Sequence, residues 1–275
     1  MNSICFNGKF VAAEEPVLIA SNRGYRYGDG LFETMKVVKG VIALEAFHFE
    51  RLLNGLALLK LETPKLFTKE KLQQEILSLC KKNNCEKLAR VRLSLFRGNG
   101  GLYDEDKKAQ YIIECWPLPE SVNKLNENGL VIGIYPDAKK SCDQFSNLKS
   151  ANFLVYSMAA QFVEENKWND GLVLNTAGNI ADSTIANIFI IKNGNVLTPP
   201  LTEGCVNGVM RRYVMERLKV AGIRCKEKSL AVDDVTDADE IFLTNAIKGI
   251  SWVKQFNDKV YSNINISTIY RTVFE

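Results

Sequence analysis

The 275-residue chain is 46% hydrophobic and 24% charged, with a formal net charge of +3. This composition is typical of a soluble globular protein, and the length suffices for two modest domains. The small, dispersed basic excess argues against nucleic acid as the main partner. We find no N-terminal signal segment and no long apolar run, so we expect no membrane association.

The cysteine and histidine content narrows the chemistry further. Seven cysteines, an odd number without a Cys-x-x-Cys pair, predict free thiols in a reducing, cytoplasmic compartment. The single histidine, His48, argues against a His-rich metal site and against a Ser-His-Asp triad. We therefore expect no metal.

The first half of the chain alternates strand and helix patterns. Residues 3–44 predict strands joined by tight turns, with hairpin signals at Asn7-Gly8 and Lys39-Gly40. Helical spacing follows over 46–61, and Thr68 can cap a second amphipathic helix. Strand patterns at 88–96 and 111–116 complete this half.

A proline pair marks the best domain boundary. Pro117 and Pro119 interrupt the strand pattern that ends at Trp116. We predict an N-terminal α/β domain over residues 1–116, a linker over 117–124 and a C-terminal domain over 125–275.

Lys149 stands at the start of a periodic apolar segment in the second half. Two strand-like runs follow it, with Asp182 and Asn187 in the second. A lysine becomes a nucleophile when desolvation or nearby cations lower its pKa. On residue type alone, a solvated surface lysine is the alternative interpretation.

Two further segments indicate an anion site. Gly204-Cys-Val-Asn-Gly-Val-Met-Arg211 leads into a helix that extends to about Val220, and a helix N-terminus offers free backbone N–H groups. Residues 240–246 predict a strand that ends in polar groups. Both features also occur without a ligand, as an ordinary helix start and an ordinary strand end.

Several of these stretches, in this order, resemble the class IV aminotransferases, which are fold-type IV enzymes that use pyridoxal 5′-phosphate (PLP). They are Asn22-Arg-Gly-x-x-x-Gly-Asp-Gly-x-Phe-Glu-Thr34, His48-Phe-Glu-Arg51-Leu52, Lys149-Ser-x-Asn152, Asp182-Ser-x-x-x-Asn187-Ile-Phe and Val206-Asn-Gly-x-Met-Arg211. The resemblance covers nearly the whole chain. It implies a two-domain α/β fold in which each domain is a mixed sheet with helices, and it implies a homodimer that acts on a small amino-acid-like substrate.

The resemblance also implies roles for individual residues. Lys149 matches the catalytic Schiff-base lysine of the C-terminal, PLP-binding domain, and Phe32 and Arg97 are substrate candidates. The remaining cofactor-binding candidates are Arg51, Asp182, Asn187, Val209, Met210, Thr244, Asn245 and Ala246. Arg51 would contact the phosphate, for which a planar bidentate donor is well suited. As an alternative, Arg51 is a solvated partner in a salt bridge.

Asp182 departs from the family pattern. The family has a glutamate at this position as the partner of the pyridine nitrogen, and aspartate keeps the charge but is one methylene shorter. The ring would have to shift, the backbone would have to move, or a water would have to bridge the gap. Asp182 can also be interpreted as a turn residue.

Three segments favour the 4-amino-4-deoxychorismate lyase subgroup, which eliminates pyruvate and produces 4-aminobenzoate for folate biosynthesis. They are Arg97-Gly-Asn-Gly-Gly101, Val206-Asn-Gly-x-Met-Arg211 and Asn245-Ala246. Leu102, Tyr103 and Asp104 stand where D-amino-acid aminotransferases have an Arg-x-His pair, which counts against that activity. The alternatives are a branched-chain or other aminotransferase, and a catalytically impaired family member that binds PLP.

Overall fold

The computed structural model describes residues 2–65, 67–104 and 108–275, which form two compact units. The first unit contains residues up to Glu120 together with Leu148–Phe153. The second contains Ser121–Asn147 and Leu154–Glu275. No helix in the described ranges combines the length and the apolar character that a membrane span requires.

The first unit is a six-stranded sheet with helices on it. Its strands are β1 (Ser3–Phe6), β2 (Lys9–Ala12), β3 (Gly30–Val38), β4 (Val41–Ile42), β5 (Leu88–Arg97) and β6 (Ala109–Pro117). Its helices are α1 (Arg23–Tyr27), α2 (Glu45–Leu58) and α3 (Lys69–Lys82). The strand order is β2-β1-β6-β5-β3-β4.

Every described strand pair of this first sheet is antiparallel, so the expected mixed sheet is found only in the second unit. Two of these pairs are set locally, because two-residue turns reverse the chain between β1 and β2 and between β3 and β4. Asn7 and Gly8 have φ of 49° and 84°, and Lys39 and Gly40 have φ of 49° and 75°. Such left-handed pairs match the twist of a hairpin, and both predicted hairpins are confirmed.

The core of the first unit lies between its sheet and helices α2 and α3. Thr68 caps α3 as predicted, its Oγ1 accepting from the Lys71 amide at 3.2 Å. The sulfurs of Cys80, Cys85 and Cys115 lie within 4.8 Å of one another inside this core. All seven cysteines are free thiols, as predicted.

The second unit is a nine-stranded mixed sheet. Its strands are β7 (Leu130–Lys140), β8 (Asp170–Asn175), β9 (Ile180–Ser183), β10 (Asn187–Lys192), β11 (Asn195–Thr198), β12 (Cys225–Glu227), β13 (Glu240–Asn245), β14 (Gly249–Phe256) and β15 (Lys259–Val260). The order is β12-β11-β10-β13-β14-β7-β8-β9, and β15 pairs with β14. The β7–β8, β7–β14 and β11–β12 pairs are parallel.

Four helices accompany this sheet: α4 (Leu154–Glu165), α5 (Val209–Val220), α6 (Val232–Thr236) and α7 (Ile264–Phe274). The predicted helix after Gly204 is confirmed as α5. Strands β9, β10 and β13 are buried almost throughout their length. Polar side chains on them are therefore desolvated, which makes those side chains the first place to look for chemistry.

Candidate active site

The backbone around Lys149 runs beside the beginning of β3. The Phe32 amide donates to the Lys149 carbonyl at 2.9 Å, and the Ala151 amide donates to the Gly30 carbonyl at 2.8 Å. Ser150 forms a β-bridge with Leu31. These bonds attach Leu148–Phe153 to the first unit, whereas the predicted domain boundary assigned Lys149 to the C-terminal domain.

The Lys149 amino group lies against two aromatic rings. Its Nζ is 4.6 Å from the centroid of the Phe32 ring and 5.6 Å from that of Phe153. The two rings meet edge to face, with centroids 5.5 Å apart and an interplanar angle of 75°. Phe32, predicted as a substrate-side aromatic, is thus a neighbour of the predicted catalytic amine.

Arg51 is held by a buried carboxylate. Its Nε and Nη2 donate to Glu33 at 2.8 and 2.6 Å, and Nδ1 of His48 lies 2.6 Å from Oε2 of Glu33. Glu33 and His48 are almost fully buried. The phosphate contact predicted for Arg51 remains a prediction, and Glu33 would fix the guanidinium that makes it. Our sequence analysis gave Glu33 no role, although Glu33 lies within the family-like motif Phe32-Glu33-Thr34.

Glu33 makes the stability of the protein depend on acid. Burial alone would raise its pKa, but the Arg51 guanidinium and the His48 hydrogen bond outweigh it and lower the pKa from 4.5 to about 2. A depressed pKa stabilises the fold fully above the unfolded value, and the contribution disappears as pH falls from about 4.5 through about 2. We expect the loss to reach roughly 3 kcal/mol.

The measurement is the urea midpoint of unfolding as a function of pH. Glu33→Gln should remove the fall of the midpoint in this acid range, whereas the same substitution at the exposed Glu86 should leave the fall unchanged.

Asp182 lies on β9 in the second unit and is only 2% exposed. Its Oδ2 accepts from the Val206 amide at 2.9 Å and lies 3.5 Å from Nζ of Lys140. The Tyr156 hydroxyl is within 3.1 Å of both carboxylate oxygens. Burial raises the pKa of Asp182, while Lys140, the Val206 amide and Tyr156 counteract that rise. Our sequence reasoning missed Lys140 and Tyr156, for which no local pattern gave a signal.

At the N-terminus of α5 the backbone has no side chain at the N-cap, so another group can approach its amides closely. The N-cap, Gly208, offers no side chain to the first turn, and a Cβ there would lie 1.8 Å from Oδ1 of Asn187. Asn187 braces the turn by donating from Nδ2 to the Val206 carbonyl at 2.9 Å. The amides of Val209 and Met210 begin the helix, where backbone N–H groups have no partner within the helix. Asn187 therefore holds this turn in place, and a cofactor contact of its own remains a prediction.

Thr244 carries a buried hydroxyl on the face of the sheet that also carries the Asn187 side chain. It is directly opposite Asn187 in the antiparallel β10–β13 pair, so the two side chains point to one side of the sheet. Thr244 is 1% exposed, and its Oγ1 has no hydrogen-bond partner in the described part of the chain. Because buried hydroxyls are normally paired, this one and the α5 amides fit the phosphate of PLP.

Asn245 and Ala246, the other candidates on this strand end, follow Thr244 directly. The Asn245 Oδ1 accepts from the amides of Ile247 and Lys248 at 3.0 and 2.9 Å. Its side chain therefore closes the turn after β13. Any phosphate contact of Asn245 or Ala246 remains a prediction.

Replacing Thr244 with valine separates cofactor binding from stability. We expect the dissociation constant for PLP to rise about fivefold, since a hydrogen bond contributes roughly 1 kcal/mol. The urea midpoint without PLP should be unchanged or higher, because a methyl replaces an unpaired buried hydroxyl. Thr198→Val is the matched control: its Oγ1 donates to the Ile188 carbonyl at 2.7 Å, so the protein should lose stability but keep its affinity for PLP. Equal PLP affinity in Thr244→Val and wild type would contradict this assignment.

The guanidinium of Arg97, the other predicted substrate contact, is hydrogen-bonded to a carboxylate and to two backbone carbonyls. Its Nε donates to Asp29 at 2.9 Å, and Nη1 and Nη2 donate to the carbonyls of Lys60 and Leu59 at 3.3 and 2.8 Å. These contacts join the end of β5 to Asp29 and to the backbone just after α2, and a substrate contact of Arg97 remains a prediction.

Arg92 is a cation that our sequence reasoning missed. Its Cζ lies 3.7 Å from the centroid of the Phe32 ring, the same ring that contacts Lys149. Its Nε donates to Ser94 Oγ at 3.0 Å, and burial lowers the pKa of its guanidinium. The sequence pattern that could have indicated Arg92 is the alternation along β5, which places Arg90, Arg92 and Ser94 on one face of the sheet.

Comparisons with known proteins show the family and the fold of this chain. Residues 30–256 match the model of the family described as amino-transferase class IV. The chain is 29% identical over 274 residues to a protein named as a branched-chain-amino-acid aminotransferase from Methanocaldococcus jannaschii, covering 99% of this chain and 94% of that protein. It is 29% identical over 252 residues to an aminodeoxychorismate lyase from Bacillus subtilis, covering 89% and 83%.

Among solved structures, the fold is similar to that of a branched-chain aminotransferase from the thermophilic archaeon Thermoproteus uzoniensis, crystallised with norvaline. The TM-score is 0.87 at 22% identity, with 98% of this chain and 93% of that chain covered. At this identity the likeness concerns the fold, which is that of the fold-type IV aminotransferases.

Proposed function

Since the chain belongs to the class IV amino-transferase family, whose members are PLP-dependent enzymes, we propose that it acts as an aminodeoxychorismate lyase. The observation that carries this choice is that the Arg92 guanidinium and the Lys149 amine both contact the Phe32 ring. Aminodeoxychorismate has two carboxylates besides its amine, so a cation near the reacting amine suits it. The lyase-like Val206-Asn207-Gly208 turn and Asn245-Ala246 strand end support the same choice.

Each site residue has one role in this proposal. PLP, when bound, links covalently to an amine and withdraws electrons from the carbon that bears it. Lys149 removes the proton from that carbon, the C–O bond to the enolpyruvyl group breaks, and the released enolpyruvate takes up a proton to become pyruvate. The loss of this group makes the ring aromatic, so 4-aminobenzoate is the second product.

The remaining residues bind and orient. Thr244 and the amides of Val209 and Met210 would bind the phosphate, where charge-assisted hydrogen bonds are strong. The role of Arg51 as a phosphate ligand is what the family resemblance implies. Asp182 holds the positive charge on the ring nitrogen. A cytoplasmic homodimer, as the family resemblance implies, is part of the same proposal.

The test is a direct comparison of two reactions with purified, PLP-loaded protein. We expect pyruvate and 4-aminobenzoate to appear in equal amounts from 4-amino-4-deoxychorismate, and slower amino transfer from leucine to 2-oxoglutarate. Faster transfer from leucine would instead establish the alternative, a branched-chain aminotransferase. Bound PLP without either reaction would identify a catalytically impaired family member.

Arg92→Gln should weaken binding of the anionic substrate more than it slows the chemistry. We expect KM for aminodeoxychorismate to rise roughly tenfold or more, because hydrogen bonds to charged groups contribute about 1.5–3 kcal/mol. The matched control is Arg90→Gln, two residues earlier on the same face, where the guanidinium lies 5.5 Å from the Trp116 ring instead. Steady-state kinetics would contradict the assignment if both variants changed KM equally.

A further inference from the structure

The carboxylate of Asp182 is in an environment that opposes its charge. It is almost fully buried, and burial raises its pKa, as expected for a carboxylate removed from water. A partner of the PLP ring nitrogen must nevertheless be ionised to hold positive charge there. The structure must therefore supply a compensating group.

Lys140, at the end of β7, is that group. Its side chain is 9% exposed, and Nζ lies 3.5 Å from Oδ2 of Asp182. The same ammonium donates to the Tyr156 hydroxyl through a short hydrogen bond and to the Ser146 carbonyl at 3.4 Å. It forms an ion pair with Asp182, and its positive charge lowers the pKa of that carboxyl against the effect of burial.

Tyr156, on α4, links the Lys140 ammonium to the Asp182 carboxylate through hydrogen bonds. Burial and the neighbouring Asp182 raise its pKa well above the ordinary value, so the phenol keeps its proton. Lys140 donates to the phenol oxygen, and the phenol O–H donates to Asp182 at 3.0–3.1 Å. Donors in such a chain polarise one another, which strengthens the last hydrogen bond.

The other described neighbours of Asp182 contribute no opposing charge. The Val206 amide donates to Oδ2 at 2.9 Å. The Cys205 thiol is kept neutral, because burial raises its pKa to about 12. Oδ2 thus has Val206, Lys140 and Tyr156 as partners, whereas within the described residues Oδ1 has Tyr156 alone. Oδ1 retains an acceptor site for the ring nitrogen.

We propose that Lys140, directly and through Tyr156, is a positioning residue that keeps Asp182 ionised as the partner of the PLP ring nitrogen. This inference rests on the proposed PLP-dependent function. It also gives a reason why an aspartate serves here, since the hydrogen-bonded ammonium and phenol hold the shorter carboxylate in one orientation.

The first experiment uses the protein without PLP and a cycle of Lys140→Met, Asp182→Asn and the double variant. Removing Lys140 raises the pKa of Asp182 further above its unfolded value, so the stability lost with Lys140 is larger near pH 7.5 than near pH 5. We expect Lys140→Met to lower the urea midpoint more at the higher pH. In the Asp182→Asn background the same change should have no such pH dependence.

An equal, pH-independent loss in both backgrounds would mean that Lys140 only packs, and would overturn the inference. If Lys140→Met does not fold, Tyr156→Phe replaces it in the cycle, because the ring is kept and only the connecting hydroxyl is lost. Lys140→Arg preserves the charge and should restore the wild-type pH profile.

The second experiment measures PLP binding by the same variants through the dissociation constant and the absorption spectrum. We expect Lys140→Met to bind PLP about tenfold more weakly, and Lys140→Arg to bind within about threefold of wild type. Wild-type affinity in Lys140→Met would overturn the inference and leave the proposed function intact. If wild type itself binds no PLP, the proposed function fails, and the cofactor-free cycle still decides whether Lys140 keeps Asp182 ionised.

Discussion

Lys149→Ala is expected to abolish turnover, with a decrease of at least roughly a thousandfold, because the variant lacks the group that moves the proton. Wild-type protein with PLP should show a band at roughly 410–420 nm that borohydride fixes, and the variant should show none. The Phe32 and Phe153 rings remain in place, so we expect the fold to lose about 1 kcal/mol or less with the cation–aromatic contacts.

The control for this prediction is Lys82→Ala, at the exposed end of α3 in the same unit. It should retain both the band and the activity. A borohydride-fixed band that persisted in Lys149→Ala would mean that another lysine carries PLP, and the buried Lys140 would be the first to examine. Added methylamine should partly restore turnover in Lys149→Ala if the missing function is proton transfer.

Asp182→Asn should lower kcat roughly a hundred- to a thousandfold, because a neutral amide no longer stabilises positive charge on the ring nitrogen. The substitution hardly changes the shape of the side chain, and the amide oxygen can still accept from the Val206 amide. KM for the substrate should therefore change much less than kcat. Steady-state kinetics on PLP-saturated protein measures both.

Asp182→Glu is the informative companion variant. It keeps the charge and adds the methylene that family members have at this position, so we expect activity within about tenfold of wild type. An Asp182→Asn variant with wild-type kcat would contradict the assignment of Asp182. If Asp182→Glu were as slow as Asp182→Asn, the spacing set by Lys140 and Tyr156 would matter as much as the charge.

Much of the fold followed from local patterns. The hairpins at Asn7-Gly8 and Lys39-Gly40, the cap at Thr68 and the helix α5 are confirmed because short-range geometry determines them. The sheet type was less accessible. The antiparallel pairing of the whole first sheet depends on which strands meet across long connections, and spacing along the chain carries no information about that.

For the candidate site, too, local motifs selected some residues, whereas the contacts of others became known only from the structure. The ordered motifs selected Lys149, Asp182 and the α5 turn as candidates, since the chemistry of PLP requires an amine, a ring-nitrogen partner and an anion site. Their roles remain predictions. Arg97 was selected by the same reasoning, yet its donors hold Asp29 and two backbone carbonyls. Residue type alone does not distinguish a guanidinium that binds substrate from one that braces a loop.

The sequence by itself determined the family and selected Lys149 and Asp182 as candidate site residues, because both depend on residue identity at fixed spacings. Only the tertiary structure decided what surrounds them. Glu33 reaches Arg51 from β3, and Lys140 and Tyr156 reach Asp182 from β7 and α4. Such partners are far apart in the chain and meet only when strands and helices pack, and burial then makes their charges strong enough to set the protonation of the site.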